Sequence, residues 1–312
     1  MVRPIYLTSP PSNDIFAHMQ RLFARQRPVP ESFEIRAAAP ADRAALTRLT
    51  ERSRRVHFHL DWWSIDDWIR ETPATDCLLA LQRGRIAGVL IAPPQDAPIA
   101  WVRLMAVADD YDPHAVIGSL LPLALDGLRA AGVEALACLA HPHWLAELLP
   151  RFDFYPFIDV TNFVKDGRAV PDYGSPSAVV RPATTADLPA VLVNDRAAFD
   201  PIWWYSLDSL NRILRDVAHF VVAEVDGRIV GHAFSDLYGR QGHLVRLAVH
   251  PDAQERGVGT RLLAESLTHL LSVGASPLTL NTQADNYTSQ SLYRRFGYMP
   301  TGDSTTVMIR EV

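Results

Sequence analysis

Apolar positions in the second half of the chain recur with a helical period in some stretches and as short runs in others. Leu207, Leu210, Ile213 and Leu214 lie at helical spacing and predict a helix that starts after Ser206. Leu262, Leu263, Leu267, Leu270 and Leu271 put one apolar face on a longer helix that opens near residue 257. Further helices are predicted after Thr185-Ala186-Asp187 and around Ser289 to Phe296. Phe220 to Glu224, Arg228 to Phe234, Leu244 to Val249, Leu278 to Asn281 and Thr305 to Ile309 read as strands, with Asp226-Gly227 as the hairpin turn between the first two. Strands joined by a hairpin as well as by helices predict an α/β chain of the mixed, α+β kind. Its central sheet is mostly antiparallel and flanked by helices, unlike a regular βαβ series.

The pattern occurs twice. Ile35-Arg36 and Pro40-Ala41-Asp42 recur as Val180-Arg181 and Thr185-Ala186-Asp187, and Asp61-Trp62-Trp63-Ser64 recurs as Ile202-Trp203-Trp204-Tyr205-Ser206. Gly84-Arg85-Ile86-Ala87-Gly88 recurs at Gly227 to Gly231, and Val102-Arg103-Leu104 at Val245-Arg246-Leu247, both at an offset of 143. Arg151-Phe152 returns as Arg295-Phe296. Order and spacing hold throughout, which marks an internal duplication. The expected organisation is an extension over 1–32 with one short helix around Ile15 to Arg25, a first copy over 33–166, a Gly/Pro/Ser-bearing linker over 167–178 and a second copy over 179–312.

At 312 residues two domains of about 150 residues are the natural expectation. A net charge of −5 argues against nucleic acid and anionic membrane as partners. No run of about 20 apolar residues is present, so no membrane span is expected. No secretory signal is visible at the start. Cys77 and Cys138 are the only cysteines, which suits a reducing, cytoplasmic setting. His57-Phe58-His59 and His141-Pro142-His143 alternate as strand ligands do, but no cysteine or carboxylate cluster joins them, and no metal is expected.

Residues 254–260, Gln-Glu-Arg-Gly-Val-Gly-Thr, lie between a predicted strand and the long helix. The first N–H groups of a helix lack internal partners and carry partial positive charge, and Gly257 and Gly259 let an anion approach the main chain. A dinucleotide turn with Gly-x-Gly-x-x-Gly and a P-loop with Gly-Lys-Ser/Thr are both absent. Leu247-Ala248-Val249-His250-Pro251 precedes the turn, and Asn286, Ser289, Leu292, Tyr293, Gly297 and Tyr298 follow it in the spacing Asn-x-x-Ser-x-x-Leu-Tyr-x-x-x-Gly-Tyr. Together these resemble the GCN5-related N-acetyltransferase (GNAT) superfamily across the whole second copy. The first copy joins the resemblance only through the repeat. The plan is similar to that of tandem members such as the mycothiol synthases, in which the second unit is the active one.

The resemblance implies two tandem GNAT folds and acetyl-CoA as co-substrate. Leu247, Ala248 and Val249 would hold the pantetheine arm, Gln254, Glu255, Arg256, Gly257, Val258, Gly259 and Thr260 the pyrophosphate, and Asn286 and Ser289 the rest of the coenzyme. Tyr293 matches the family's general acid. His243, with an ordinary pKa near ~6.5, is the candidate base and Asp236 its fallback. Trp203, Trp204 and Tyr205 would wall the acceptor site. The acceptor is expected to be a small-molecule amine or a protein N-terminus, and the chain a monomer or homodimer. The competing class is a non-catalytic acetyl-CoA or acyl-metabolite sensor. In the first copy Ala108 to Ala115 holds no Gly-x-Gly, Asp109, Asp110 and Asp112 would repel a pyrophosphate, and the tyrosine position falls near Leu149, so no activity is expected there.

Overall fold

The repeated Arg and Asp of each copy explain themselves once the chain is folded. The computed structural model describes residues 32–59, 62–71, 76–94, 98–171, 174–175 and 177–312. The helix expected over Ile15 to Arg25, Asp61, and Asp172, Tyr173 and Pro176 of the linker lie outside them. Arg36 grips Asp42 through both guanidinium nitrogens at 2.6 and 2.7 Å, and Arg181 grips Asp187 likewise at 2.8 Å. Each aspartate also accepts the N–H three residues back, from Ala39 or Thr184. The pair therefore fixes the angle at which the first strand of a copy enters its first helix.

The first copy runs β1 (Glu34–Ala37), α1 (Arg43–Arg52), β2 (Arg55–Phe58), α2 (Ile65–Glu71), β3 (Cys77–Gln82), β4 (Arg85–Ile91), β5 (Ile99–Trp101), β6 (Leu104–Val107), α3 (Pro113–Ala130), β7 (Ala135–Leu139), α4 (His143–Leu148) and β8 (Tyr155–Lys165). The second runs β9 (Val179–Pro182), α5 (Leu188–Ala198), α6 (Leu207–Asp216), β10 (His219–Val225), β11 (Arg228–Tyr238), β12 (Gln241–Val249), α7 (Val258–Ser272), β13 (Leu278–Gln283), α8 (Tyr287–Arg295) and β14 (Met299–Glu311). Each element expected of the second copy is present, most of them longer than expected. In the extension of β11 from Phe234 to Tyr238, Asp236 and Tyr238 line a cavity while Leu237 packs against the core. The helices α3 and α7 each lie on their copy's sheet over a repeated glycine. A Cβ on Gly88 would stand 2.5 Å from Val116, and one on Gly231 3.0 Å from Leu262. Buried leucines of α3 and α7 anchor two separate cores.

The strands do not sort into one sheet per copy. A five-stranded sheet has the order β1-β3-β4-β6-β2, and a nine-stranded sheet the order β5-β7-β14-β8-β13-β12-β11-β10-β9. The closing strands are exchanged. The first copy's β8 pairs with β13 of the second, while the second copy's β14 pairs with β7 of the first. β8 and β14 also pair with each other, which seals the join. Across it, Arg212 of α6 caps the Trp63 ring at 3.8 Å and pairs with Asp67 and Glu71 of α2. Among the described residues no helix is long and apolar enough to cross a membrane.

Candidate active site

β12 and β13 run parallel and pair only from Gly242/Leu278 to Leu244/Leu280, then diverge. Opposite β11, Val245 is the extra residue of a bulge between the Ser235/Leu244 and Phe234/Arg246 pairs. The N–H of His250 donates to the Val230 carbonyl of β11 at 2.8 Å. Strand backbone groups alternate sides, so Leu247 and Val249 turn their N–H and C=O away from β11. Ala248 turns its own toward β11, opposite His232, and offers nothing to a ligand through the main chain. Of the three expected arm-binding residues, two therefore turn backbone groups toward the open strand edge, Leu247 with its N–H and C=O and Val249 with its N–H.

That edge leads to the start of α7. Gln254 folds back to donate to the Val249 carbonyl at 3.1 Å, and Glu255 and Gly257 adopt left-handed conformations, with φ of 61° and 78°. Arg256 is exposed. The first intrahelical bond runs from Arg261 N–H to Gly257 O, so Val258, Gly259 and Thr260 lie ahead of it with outward N–H groups. The two glycines serve different needs. A Cβ on Gly257 would meet the Ser175 nitrogen at 2.9 Å, whereas one on Gly259 would meet Val249, Leu247 and Leu292 at ordinary contact distances of 3.5 to 3.7 Å. Gly259 is thus not required by internal packing; its missing side chain leaves a hollow between β12 and α8.

A cavity of about 610 Å³ opens from the divergence of β12 and β13. Tyr293, His243, Asp236, Asn286 and Ser289 line it, as do Trp203, Trp204 and Tyr205. Tyr293 is buried, which pushes its phenol up to about 12, against the opposing pull of a hydrogen bond from Ser289 and the charge of Arg246. Asn286 uses its side-chain oxygen to accept from Ser289 N–H at 3.1 Å and so caps α8. The ordinary pKa expected for His243 is corrected here. Burial pushes it down to about 4 although Asp236 pulls upward, and Nδ1 lies 2.9 Å from Thr279 Oγ1. Asp236 stands directly across from it in the β11–β12 pairing. The ring is therefore neutral near pH 7 and a weaker base than a free imidazole.

Behind the wall lies a buried network that the sequence reading passed over. Arg246 donates to both oxygens of Asp195 at 2.8 and 2.7 Å and to the Trp203 carbonyl at 2.8 Å. Its guanidinium stacks over Phe199 at 3.4 Å and faces Tyr205 at 4.8 Å. Asn194 donates to His232 Nδ1 at 2.9 Å, which puts the ring proton on Nε2, 3.4 Å from Asp195 and too far for a well-formed bond. Burial opposes ionisation of Asp195, yet the charge of Arg246 and the nearby ring outweigh it and hold the carboxyl below its usual range. Arg246 so pins the loop that carries Trp203 and Tyr205. Its signal was present in the sequence: it shares the buried face of β12 with Leu244 and Ala248.

The first copy has the same frame with both openings filled. β2 pairs along the outer edge of β6, Arg55 to Val107 through Phe58 to Leu104. Those are the counterparts of residues 247–250, the edge left open on β12. His57 of β2 is buried, with Nδ1 2.8 Å from the His141 carbonyl, so this histidine serves the plug. At the start of α3, Asp112 accepts from His114 and Ala115 N–H and occupies the anion position with its own carboxylate. The tyrosine position holds buried Leu149. Among the described residues no group of three or more His, Cys, Asp or Glu is placed to hold a metal.

Residues 188–298 match the model of the Acetyltransferase (GNAT) family. The fold is similar to that of a GCN5-related N-acetyltransferase from Sphaerobacter thermophilus, at 18% identity and a TM-score of 0.62 over 91% of this chain and 97% of that one. It is similar to a tandem GNAT protein from the clavulanic acid biosynthesis pathway, at 15% identity and 0.61 over 90% and 98%. A putative acetyltransferase from Pyrococcus horikoshii aligns at 16% identity and 0.61 over 92% of each chain. At these identities the likeness concerns the fold.

Proposed function

We propose that this chain, whose residues 188–298 match the acetyltransferase (GNAT) family and whose fold is similar to that of tandem GNAT proteins, transfers an acetyl group from acetyl-CoA to the primary amine of a small molecule, by direct attack, within the second copy. One observation carries this reading: the open edge of β12 runs from the cavity wall to the unpaired N–H groups of α7. The residues present fit the coenzyme. Val258, Gly259 and Thr260 N–H groups suit the diphosphate, the hollow at Gly259 leaves room beside them, and Leu247 and Val249 can pair with an amide-bearing arm as an added strand.

Bound there, acetyl-CoA supplies an activated thioester carbonyl. The outward Val249 N–H would donate to the developing oxyanion. Tyr293 keeps its proton at any working pH because burial raises its pKa to about 12, so its hydroxyl stays available to donate to a departing sulfur. His243, neutral and fixed by Thr279, accepts a hydrogen bond from the incoming amine and orients it, with Asp236 alongside. With a pKa near 4 it does not strip a proton from a free ammonium, so the amine reacts from its neutral form.

The test is thiol release from acetyl-CoA with a panel of primary amines, with product masses recorded. Amine-dependent release with matching acetylated products is expected. Tight acetyl-CoA binding without turnover of any amine would reduce the protein to a sensor.

A further inference from the structure

Five of the seven tryptophans of the chain line this cavity, and they come from both copies. Building on the acetyl-transfer reading above, we propose that the acceptor is an aralkylamine, a primary amine joined by a short linker to an aromatic ring, and that the first copy supplies half of the cage that selects it.

Trp101 of β5 and Trp203 face each other across the copies with ring centres 5.6 Å apart. Trp101 Nε1 donates to the Ile202 carbonyl at 2.8 Å inside the protein, so the polar edge of the indole is satisfied and its position is fixed. His59 packs edge-on against the same ring at 4.7 Å. Trp62 of the first copy reaches into the second, where Tyr205 and Phe234 receive its ring at 6.5 and 5.9 Å. It does so from a left-handed backbone, φ 63°, which a bulky residue adopts only when its surroundings hold it there. Walls of this kind favour an apolar, planar body over a flexible polar one.

The polar groups set where the amine lies. Asp236 is the only carboxylate among the described residues that line the cavity, and it stands beside His243. Two arginines, Arg103 and Arg246, share the lining. A single carboxylate in the lining, with the Arg246 charge already matched by Asp195, is a poor receptor for a polycation such as a polyamine or an aminoglycoside. It suits a single ammonium, which Asp236 attracts and which gives up its proton to solvent as it moves from the carboxylate into the apolar cage and faces the thioester. The chemistry balances: the ammonium first gives one proton to solvent, the neutral nitrogen forms the C–N bond, the C–S bond breaks, the sulfur takes the proton held by Tyr293, and the second proton from the nitrogen restores the Tyr293 hydroxyl.

The experiment compares phenethylamine, hexylamine, spermidine, glucosamine and phenylalanine as acceptors, alongside direct phenethylamine binding read by tryptophan fluorescence. Phenethylamine should quench that fluorescence and be acetylated with a kcat/KM at least tenfold above the others. Trp203→Ala and Trp62→Ala should each erase most of that preference while leaving acetyl-CoA affinity intact; if the alanine variants fold poorly, Trp101→Phe and Trp203→Phe carry the same test. Equal or better use of spermidine, glucosamine or phenylalanine, or an unchanged preference in the tryptophan variants, overturns the proposal. Phenethylamine binding without any turnover sinks the acetyl-transfer reading instead and leaves the cage standing, so the two failures are distinct.

Discussion

Asp195→Asn should be among the most damaging single substitutions outside the apolar cores. The carboxylate has no exposed surface and holds Arg246, itself 8% exposed, through two bonds of 2.8 and 2.7 Å. An amide in its place keeps one acceptor and turns an N–H₂ toward a largely buried cation. Breaking one side of such a pair costs about 3–5 kcal/mol, most of it the uncompensated charge left behind. Large domains shift by about 2 °C per kcal/mol, so Tm should fall by roughly 6–10 °C. Arg246→Met strands the opposite charge and should cost a similar amount. The double variant leaves neither charge buried, and it should be more stable than the sum of the singles by about 2–3 kcal/mol. Urea and thermal unfolding of the four proteins give the cycle directly. Simple additivity, or a loss below about 1 kcal/mol for Asp195→Asn, would refute the claim that these two charges are held for each other. Arg246→Met should also raise KM for the amine with little change in acetyl-CoA affinity, because it frees the Trp203 carbonyl and the loop behind it.

The two glycines of the α7 turn should separate. Gly257→Ala forces a side chain into a left-handed site against the Ser175 backbone and should cost about 1–3 kcal/mol, while Gly259→Ala should be neutral in stability or slightly favourable; equal losses in a melting experiment would contradict this. Tyr293→Phe should lower kcat by about 10²-fold with acetyl-CoA affinity within twofold, and an unchanged kcat removes its role as proton donor. Burial pushes His219, stacked on His269, and His243 down to about 4, so the unfolded chain binds more protons between that value and about 6.5. Stability should accordingly be complete above about pH 6.5 and fall as the pH drops toward 4, and His219→Gln should flatten that slope in calorimetry; a slope unchanged in the variant would assign it to other groups. Titration calorimetry should find one acetyl-CoA per chain, since β2 and Asp112 fill the first copy; a stoichiometry of two would show that the plug opens.

Much of the fold was legible in the sequence because it rests on local chemistry. Helical periodicity, the Asp226-Gly227 hairpin and the Ser206 cap each act within a few residues, and every element they predicted in the second copy is present. The duplication was visible because the same local constraints recur, such as the Arg181–Asp187 clamp and the glycine under each long helix. The turn at residues 254–260 and the spacing from Asn286 to Tyr293 named the chemistry for the same reason: a helix start and a helix face are properties of short segments.

Other features are decided by partners more than a hundred residues away, and no spacing encodes them. That β8 and β14 would change places depends on which sheet edges remain free after both copies fold. That β2 would close the first copy's strand edge, and leave the second copy's open, follows from a pairing partner present in one place and missing in the other. The neutral His243 is a matter of burial, which sequence does not state. The cavity itself exists only because Trp62 and Trp101 of one copy meet Trp203 and Tyr205 of the other. The sequence alone determined the elements and the spacing of the motifs, because those interactions are local; the tertiary structure decided which strand edge stays open and what surrounds it, because contacts between distant segments form only when the whole chain has packed.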